Sequence, residues 1–251
     1  MSATGRKRRL RGWWWKLPLA FALFSIVQVL VLRFIDPPFS AFMAARWVDA
    51  ALAGNPGFRL AHDWRDLRAM SPNLPLALIA AEDQNFARHH GFDFDAIEKA
   101  QAHNEKMRKR AEKRGTPVKR IRGASTISQQ TAKNLFLWQG RGPTRWLRKG
   151  LEVWYTALIE TLWSKWRILE MYANVAEFGD GVYGAQAASR RYFGKDAARL
   201  TAAEAARLAA VLPSPKRYNA ARPGPYVQRR AAAIQRQMGA LGGSAYLRAL
   251  E

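Results

Sequence analysis

The chain contains no cysteine. Disulfides and thiolate metal sites are thereby excluded, while the redox compartment is left open. Acidic residues are also scarce: 19 aspartates and glutamates face 41 lysines and arginines in 251 residues, a formal charge of +22. Such an imbalance calls for an acidic partner, whether nucleic acid, anionic lipid or a phosphorylated substrate. Sustained alternation of apolar and polar residues is rare and no internal repeat is evident, so helices must supply most of the structure. Apolar material is plentiful. At 49% hydrophobic residues the chain can bury the core of one domain of about 200 residues, with an appendage.

The appendage is N-terminal. GRKRRLRGWWWK (Gly5–Lys16) is a basic patch followed by three tryptophans, and LPLAFALFSIVQVLVL (Leu17–Leu32) carries no charge. Basic flank, aromatic belt and a span of about 20 residues together predict one transmembrane helix. A signal peptide is the rival, but SAFMAA (Ser40–Ala45) is only a loose cleavage site. The expected division is a cytoplasmic basic tail, 1–12, a transmembrane anchor, 13–35, and an exported domain, 36–251. Setting aside the seven basic residues Arg6, Lys7, Arg8, Arg9, Arg11, Lys16 and Arg33 leaves the exported part strongly basic. Outside the membrane, lipid-linked phosphates suit that charge better than DNA does.

FSAFMAARWVDAAL places Phe39, Phe42, Met43, Trp47 and Leu52 along one helical face, which would cover the core or dip into the bilayer. Pro75 suits the first turn of a helix running toward Phe86 and ended by Gly91. Asp95-Ala-Ile-Glu98 reads as a capping box. Residues 101–122, with nine basic and two acidic side chains, read as a solvated excursion that could touch lipid head groups. Leu151, Tyr155, Leu158 and Leu162 keep the spacing of a buried helical face. A further helix follows Ser164, and Thr201-Ala-Ala-Glu204 caps a short one, which makes Glu204 structural.

Four clusters can carry chemistry. Glu82 ends the apolar run Leu78-Ile-Ala-Ala81, whose wall would raise its pKa and suit it to proton exchange near neutrality; an exposed helix-end acid is the plainer alternative. Adjacent His89 and His90 cannot readily share a metal, so a structural hydrogen bond is expected of His89. In RGASTISQQTAKNLFLW the loop Gly123-Ala124-Ser125 leads into a helix with Thr126 as N-cap and Gln129 at its third position. Its free N–H groups would make an anion site, with Gln129 and Lys133 on one face; a well-capped surface helix explains the same residues. Arg141, Arg145, Arg148 and Lys149 crowd toward Glu152 as a diphosphate clamp, or as a solvated turn with an Arg148–Glu152 pair. NVAEFGDGVYG folds into a tight loop in which Glu177 orients the turn or lines a cleft.

EDQNFARHHGFD, GASTISQQTAKNLFLW, RKGLE, ILEMYANVAEFGDGVYGAQAASRRYFGK and LTAAEAARLAAVLPSPKRYN stand in the order of the five motifs of peptidoglycan glycosyltransferases. Over roughly residues 60–220 and the preceding anchor, the chain resembles the monofunctional, Gram-negative branch of that family. The resemblance implies a mainly α, lysozyme-like domain with a small membrane-associated jaw. The enzyme would sit in the cell inner membrane with its catalytic domain in the periplasm. It would polymerise lipid II into β-1,4-linked glycan with inversion, releasing the polyprenyl diphosphate. Lipid II, the growing lipid-linked chain, the membrane and cell-wall synthesis and division proteins are the implied partners, and nucleic acid is not.

On this resemblance Glu82 and Glu152 are catalytic. Ser125, Gln129, Gln130, Lys133 and Asn134 line the donor site with Arg148, Lys149 and one of Arg141 and Arg145. Asp83, Phe86, His89, Gly91 and Glu177 support the cleft. No metal cage of protein ligands is expected, although a divalent cation, Mg or Mn, could accompany the diphosphate. Two rivals remain: a glycan-cleaving enzyme, which would not need a phosphate clamp, and a tethered module binding acidic lipids or nucleic acid, which would leave the carboxylates unexplained.

Overall fold

The computed structural model describes residues 15–55, 57–117, 121, 123–139 and 142–250. The basic tail, Trp13, Trp14 and Arg141 lie outside these. The described chain is mainly helical and falls into two units, divided after Pro37.

In the first unit, α1 (Lys16–Leu32) is a 17-residue helix most of whose apolar side chains are exposed, with Ser25 and Val29 buried. Its one hydroxyl is satisfied within the helix, Ser25 Oγ donating to Ala22 O at 2.9 Å. At 1.5 Å per residue α1 is about 26 Å long, against about 30 Å of bilayer hydrocarbon. Among the described residues no helix is long and apolar enough to cross a membrane. The expected span had counted the tryptophans that lie outside them.

The second unit starts with α2 (Ala41–Leu52), capped by Ser40, whose Oγ accepts from Met43 N at 3.2 Å. Its predicted apolar face divides. Met43 is buried and Phe42 half-buried, whereas Phe39 just before the helix, Trp47 and Leu52 are exposed, so α2 turns Met43 and Ala50 inward and shows much of the rest to its surroundings. A small sheet follows from three short strands, β1 (Ala61–His62), β2 (Glu177–Gly179) and β3 (Val182–Tyr183), in the order β1-β3-β2. β1 runs parallel to β3, and β2 and β3 form an irregular antiparallel pair over the glycine-rich turn.

The core is built around α3 (Asn73–Glu82). Every residue from Leu74 to Ala80 is buried, which explains an apolar run without helical periodicity: the helix has no solvent face. Leu74, Leu78 and Ile79 are each fully buried, worth about 1.5–3 kcal/mol apiece. The helix ends at Glu82, four residues short of the predicted Phe86, because Asp83 leaves the helical region with φ −160° and ψ 77°. Phe86 is still fully buried, in the loop beyond.

α4 (Phe94–Lys113) is capped by Asp93, whose Oδ1 accepts from Ala96 N at 2.8 Å. The cap thus lies two residues before the predicted Asp95 box, and Asp95 sits in the first turn. Most of the predicted 101–122 excursion is helix: α4 carries it to Lys113, since its lysines, glutamates and alanines are good helix formers. α5 (Ile127–Phe136) begins at Thr126 with the predicted capping box: Thr126 Oγ1 accepts from Gln129 N, and Gln129 Oε1 from Thr126 N.

α6 (Arg145–Leu162) buries Glu152, Tyr155, Thr156 and Ile159. Only Tyr155 of the predicted stripe is fully buried, stacked on Phe136 at 4.3 Å, so the inward face is rotated toward Glu152. α7 (Lys165–Val175) follows Ser164 as expected, and Ser164 caps it by accepting from Arg167 N. It is followed by α8 (Ala185–Phe193), α9 (Ala202–Val211), α10 (Pro225–Ala240) and α11 (Ser244–Arg248). Thr201 and Glu204 cap α9 reciprocally, and Lys195 pairs with Glu204 at 2.7 Å, so Glu204 is structural.

Gly91 terminates no helix. Its φ is +88°, and an added Cβ would stand 2.8 Å from Thr156 Cγ2 and 3.1 Å from Glu160 Cγ. The missing side chain lets the loop lie against α6. Gly91→Ala should therefore cost about 2–4 kcal/mol through left-handed strain and overpacking, measured as a lowered urea midpoint at unchanged slope.

Candidate active site

The end of α3 and the start of α5 are joined by a closed circuit of hydrogen bonds. Gly91 N donates to His89 Nδ1 at 3.1 Å, which leaves the ring proton of neutral His89 on Nε2. That nitrogen lies 2.9 Å from both Asp83 carboxylate oxygens. Asp83 Oδ2 also accepts from Ile127 N, the first residue of α5, at 2.9 Å. Thr126 Oγ1 then donates back to Gly91 O at 2.7 Å.

The predicted anion site at this helix start is thus already used: its anion is the protein's own Asp83, and Gln129 spends its oxygen on the cap. Gln129 and Lys133 do not act together on one face. Gln129 shares a cavity with Lys149, while Lys133 lines another with Gln130 and Asn134.

One residue before Asp83, Glu82 turns the other way. Its side chain is 15% exposed. Gln130 Nε2 donates to Oε2 at 3.0 Å, and Tyr172 Oη donates to Gln130 Oε1 at 3.2 Å, which fixes the amide with its NH2 toward Glu82. Burial holds the Tyr172 phenol far above its ordinary range, so it remains a neutral donor. On the other side Arg230 Nη2, from α10, lies 3.2 Å from Ala81 O and 3.3 Å from Glu82 Oε1. Burial raises the Glu82 carboxyl above the ordinary glutamate value; Gln130, Arg230 and Lys133 oppose it and do not cancel it. A cavity of ≈ 290 Å³ opens beside Glu82, lined also by Ser125, Lys99 and Asn85.

Lys133, on α5, connects the clusters that the sequence presents separately. It makes no ion pair among the described residues, and burial depresses its pKa. The Glu152 charge raises that pKa, Arg148 and Lys149 lower it, and Glu82 raises it, so all four stand within electrostatic reach. Its ammonium also lies 5.8 Å from the centre of the Phe42 ring.

Glu152 is 3% exposed and held by both predicted cations, Arg148 Nη1 at 2.9 Å and Lys149 Nζ. A carboxylate buried between two cations positions them. Arg145 is exposed, its guanidinium 5.1 Å from the centre of the Trp146 ring, so it joins no cluster; Arg141 lies outside the described residues. Glu177 lines the Lys133 cavity and accepts from Gly181 N at 3.3 Å. It thus bonds the turn and borders that cavity. Lys165 covers the ring of Phe86 at 4.6 Å, and His90 is exposed. Among the described residues no group of three histidine, aspartate or glutamate side chains could hold a metal.

A family model described as transglycosylase matches residues 52–239. The chain belongs to the transglycosylase family. Three relatives of similar length carry the name biosynthetic peptidoglycan transglycosylase. The chain is 60% identical to the one from Xanthomonas campestris pv. campestris strain B100, covering 97% of this chain and 94% of the relative. It is 58% identical to the Xanthomonas axonopodis pv. citri protein, with the same coverage, and 56% identical to that of Xylella fastidiosa strain 9a5c over 94% and 92%.

Reading the sequence missed Arg230 and Tyr172 at this transglycosylase site. Tyr172 lies inside a quoted motif but has no local signal, and Arg230 stands 148 residues from Glu82 in a segment rich in arginine. Two outcomes test the geometry. Asp83→Ala leaves two buried donors unpartnered and should cost about 2–4 kcal/mol in urea unfolding. Arg230→Gln removes a cation that favours the Glu82 carboxylate, so the Glu82 titration followed by carboxyl carbon NMR should move to higher pH.

Proposed function

We infer that this protein is a peptidoglycan glycosyltransferase that polymerises lipid II in cell-wall biosynthesis. The observation that carries this reading is the placement of Lys133 within reach of both Glu82 and the Glu152–Arg148–Lys149 cluster. A proton acceptor and a cationic cradle then serve the two ends of one displacement.

In this mechanism Glu82 accepts the proton of the acceptor sugar's 4-hydroxyl as its oxygen attacks the donor's anomeric carbon. The bond to the lipid diphosphate breaks, and inversion follows from displacement of an α-linked leaving group to give a β-1,4 bond. Burial suits Glu82 to this task, because a carboxylate deprived of water gains basicity. Gln130 and Arg230 hold its two oxygens from opposite sides. Lys133, Arg148 and Lys149 stabilise the charge that develops on the leaving diphosphate, and Glu152 aligns the last two. Ser125 and Asn134 line the adjoining cavities, and Gln129 shapes the wall beside Lys149. Any divalent cation would enter with the diphosphate, because Glu152 is already engaged by two protein cations.

The same reading makes α1, with the tryptophans before it, the anchor in the inner membrane and leaves the second unit in the periplasm. The exposed Trp47 and Leu52 of α2, with Phe39 just before it, suit the membrane-associated jaw. A glycan-cleaving enzyme would have no use for the cationic cradle, and a binding module none for the buried acid.

Glu82→Gln should lower the rate of glycan formation from purified lipid II by about 10²–10⁴-fold, with finished peptidoglycan left uncleaved by either protein. The pH profile should be a bell narrowed at both ends. Rate is lost as pH falls through the Glu82 pKa, which burial raises above the ordinary glutamate value, and as it rises through the Lys133 pKa, which burial lowers below the ordinary lysine value. Lys133→Arg should move the alkaline limb outward. A limb that stays in place in a gel assay of labelled lipid II would remove Lys133 from the cradle.

A further inference from the structure

The long helix α4 is needed for none of this. Beyond Ala100 it has no buried residue, and its only cover is a stripe through Asn104, Met107 and Ala111. On the side away from that stripe, Lys99, Lys106, Lys109, Arg110 and Lys113 fall within a sector of about 100°, at 100° per residue. The row is about 21 Å long. All five side chains are exposed, and among the described residues only Lys109 of the five has an ion-pair partner, Glu105 at 2.7 Å.

Cations at spacings of three and four repel one another, and this row contains Lys106–Lys109, Lys106–Arg110, Lys109–Lys113 and Arg110–Lys113. A free helix gains nothing from that arrangement, and an anion laid along it would relieve the repulsion. Two further observations choose the anion. The row begins at the catalytic cavity, because Lys99 lines the ≈ 290 Å³ space beside Glu82. It is also narrow: Glu98, Glu105 and Glu112 recur every seven residues along one edge, and the row itself carries no large apolar side chain. A plane of anionic lipid would press on those carboxylates and would favour apolar neighbours. A linear polyanion one chain wide would avoid the first and not need the second.

We propose that the cationic row of α4 is a guide for the anionic glycan strand, holding the carboxylates of its peptide side chains as the strand passes the catalytic cavity. The proposal rests on the glycosyltransferase reading and adds a binding element outside the reacting atoms.

The test uses the full-length protein in detergent with Glu82→Gln to prevent turnover. Its binding to uncrosslinked, peptide-bearing glycan strands is compared with that of the same protein further carrying Lys106→Gln, Lys109→Gln, Arg110→Gln and Lys113→Gln. The four substitutions should weaken strand binding about tenfold or more at low salt, with the difference shrinking as salt rises. Circular dichroism should show the helix retained, glutamine being a good helix former. Strands whose carboxylates are converted to amides should bind the parent about as weakly as the variant, a comparison that does not depend on the variant folding. Equal binding of native strands by both proteins overturns the proposal. So does tight binding of amidated strands by the parent, or a defect confined to vesicles of anionic phospholipid. Turnover of lipid II by Glu82→Gln at the parental rate would instead overturn the catalytic reading, whatever the strands do.

Discussion

The site depends on the bond between Asp83 and the first N–H of α5. A buried carboxylate at a helix N-terminus receives both a hydrogen bond and the positive end of the helix dipole. His89 carries the constraint to Gly91, and Thr126 brings it back to the helix. The end of α3 and the start of α5 are thereby tied together, and Gln130 bonds Glu82 beside the tie. Glu82 and Gln130, each next to that junction, inherit its rigidity.

Adjacent carboxylates divide the labour by environment. Asp83 faces donors on two sides and acts as a fixed anion. Glu82 faces an amide, a guanidinium and an apolar wall, and burial outweighs the polar partners, so its proton affinity rises. The turn out of α3 at Asp83 separates them. Had the helix continued toward Phe86, a single helical face could not have aimed Asp83 at α5 while leaving Glu82 beside the cavity.

Charge is similarly divided among the cations. Arg148 and Lys149 are neutralised in part by Glu152, whereas Lys133 is left without an ion pair among the described residues and is the most responsive to an incoming anion. Removal from water weakens its hold on its proton, and an arriving diphosphate would strengthen it. Binding a negatively charged leaving group and keeping Lys133 charged are thus mutually reinforcing.

Legible in the chain were the helical class, the caps at Thr126 and Thr201, the helix after Ser164, and Glu82 and Glu152 as candidate carboxylates. Each of these rests on local chemistry: helix period, the reach of a capping side chain, an acid at the end of an apolar run. The resemblance through five ordered motifs reached the family in the same way. It took the folded chain to put Asp83 at the start of α5, to spend Gln129 on the cap and to turn Glu152 inward on α6. It alone brought Arg230 to Glu82 across 148 residues and set Lys133 between two clusters. Those facts depend on which faces of distant helices meet, and pairing across such distances leaves no periodicity in the chain to be read.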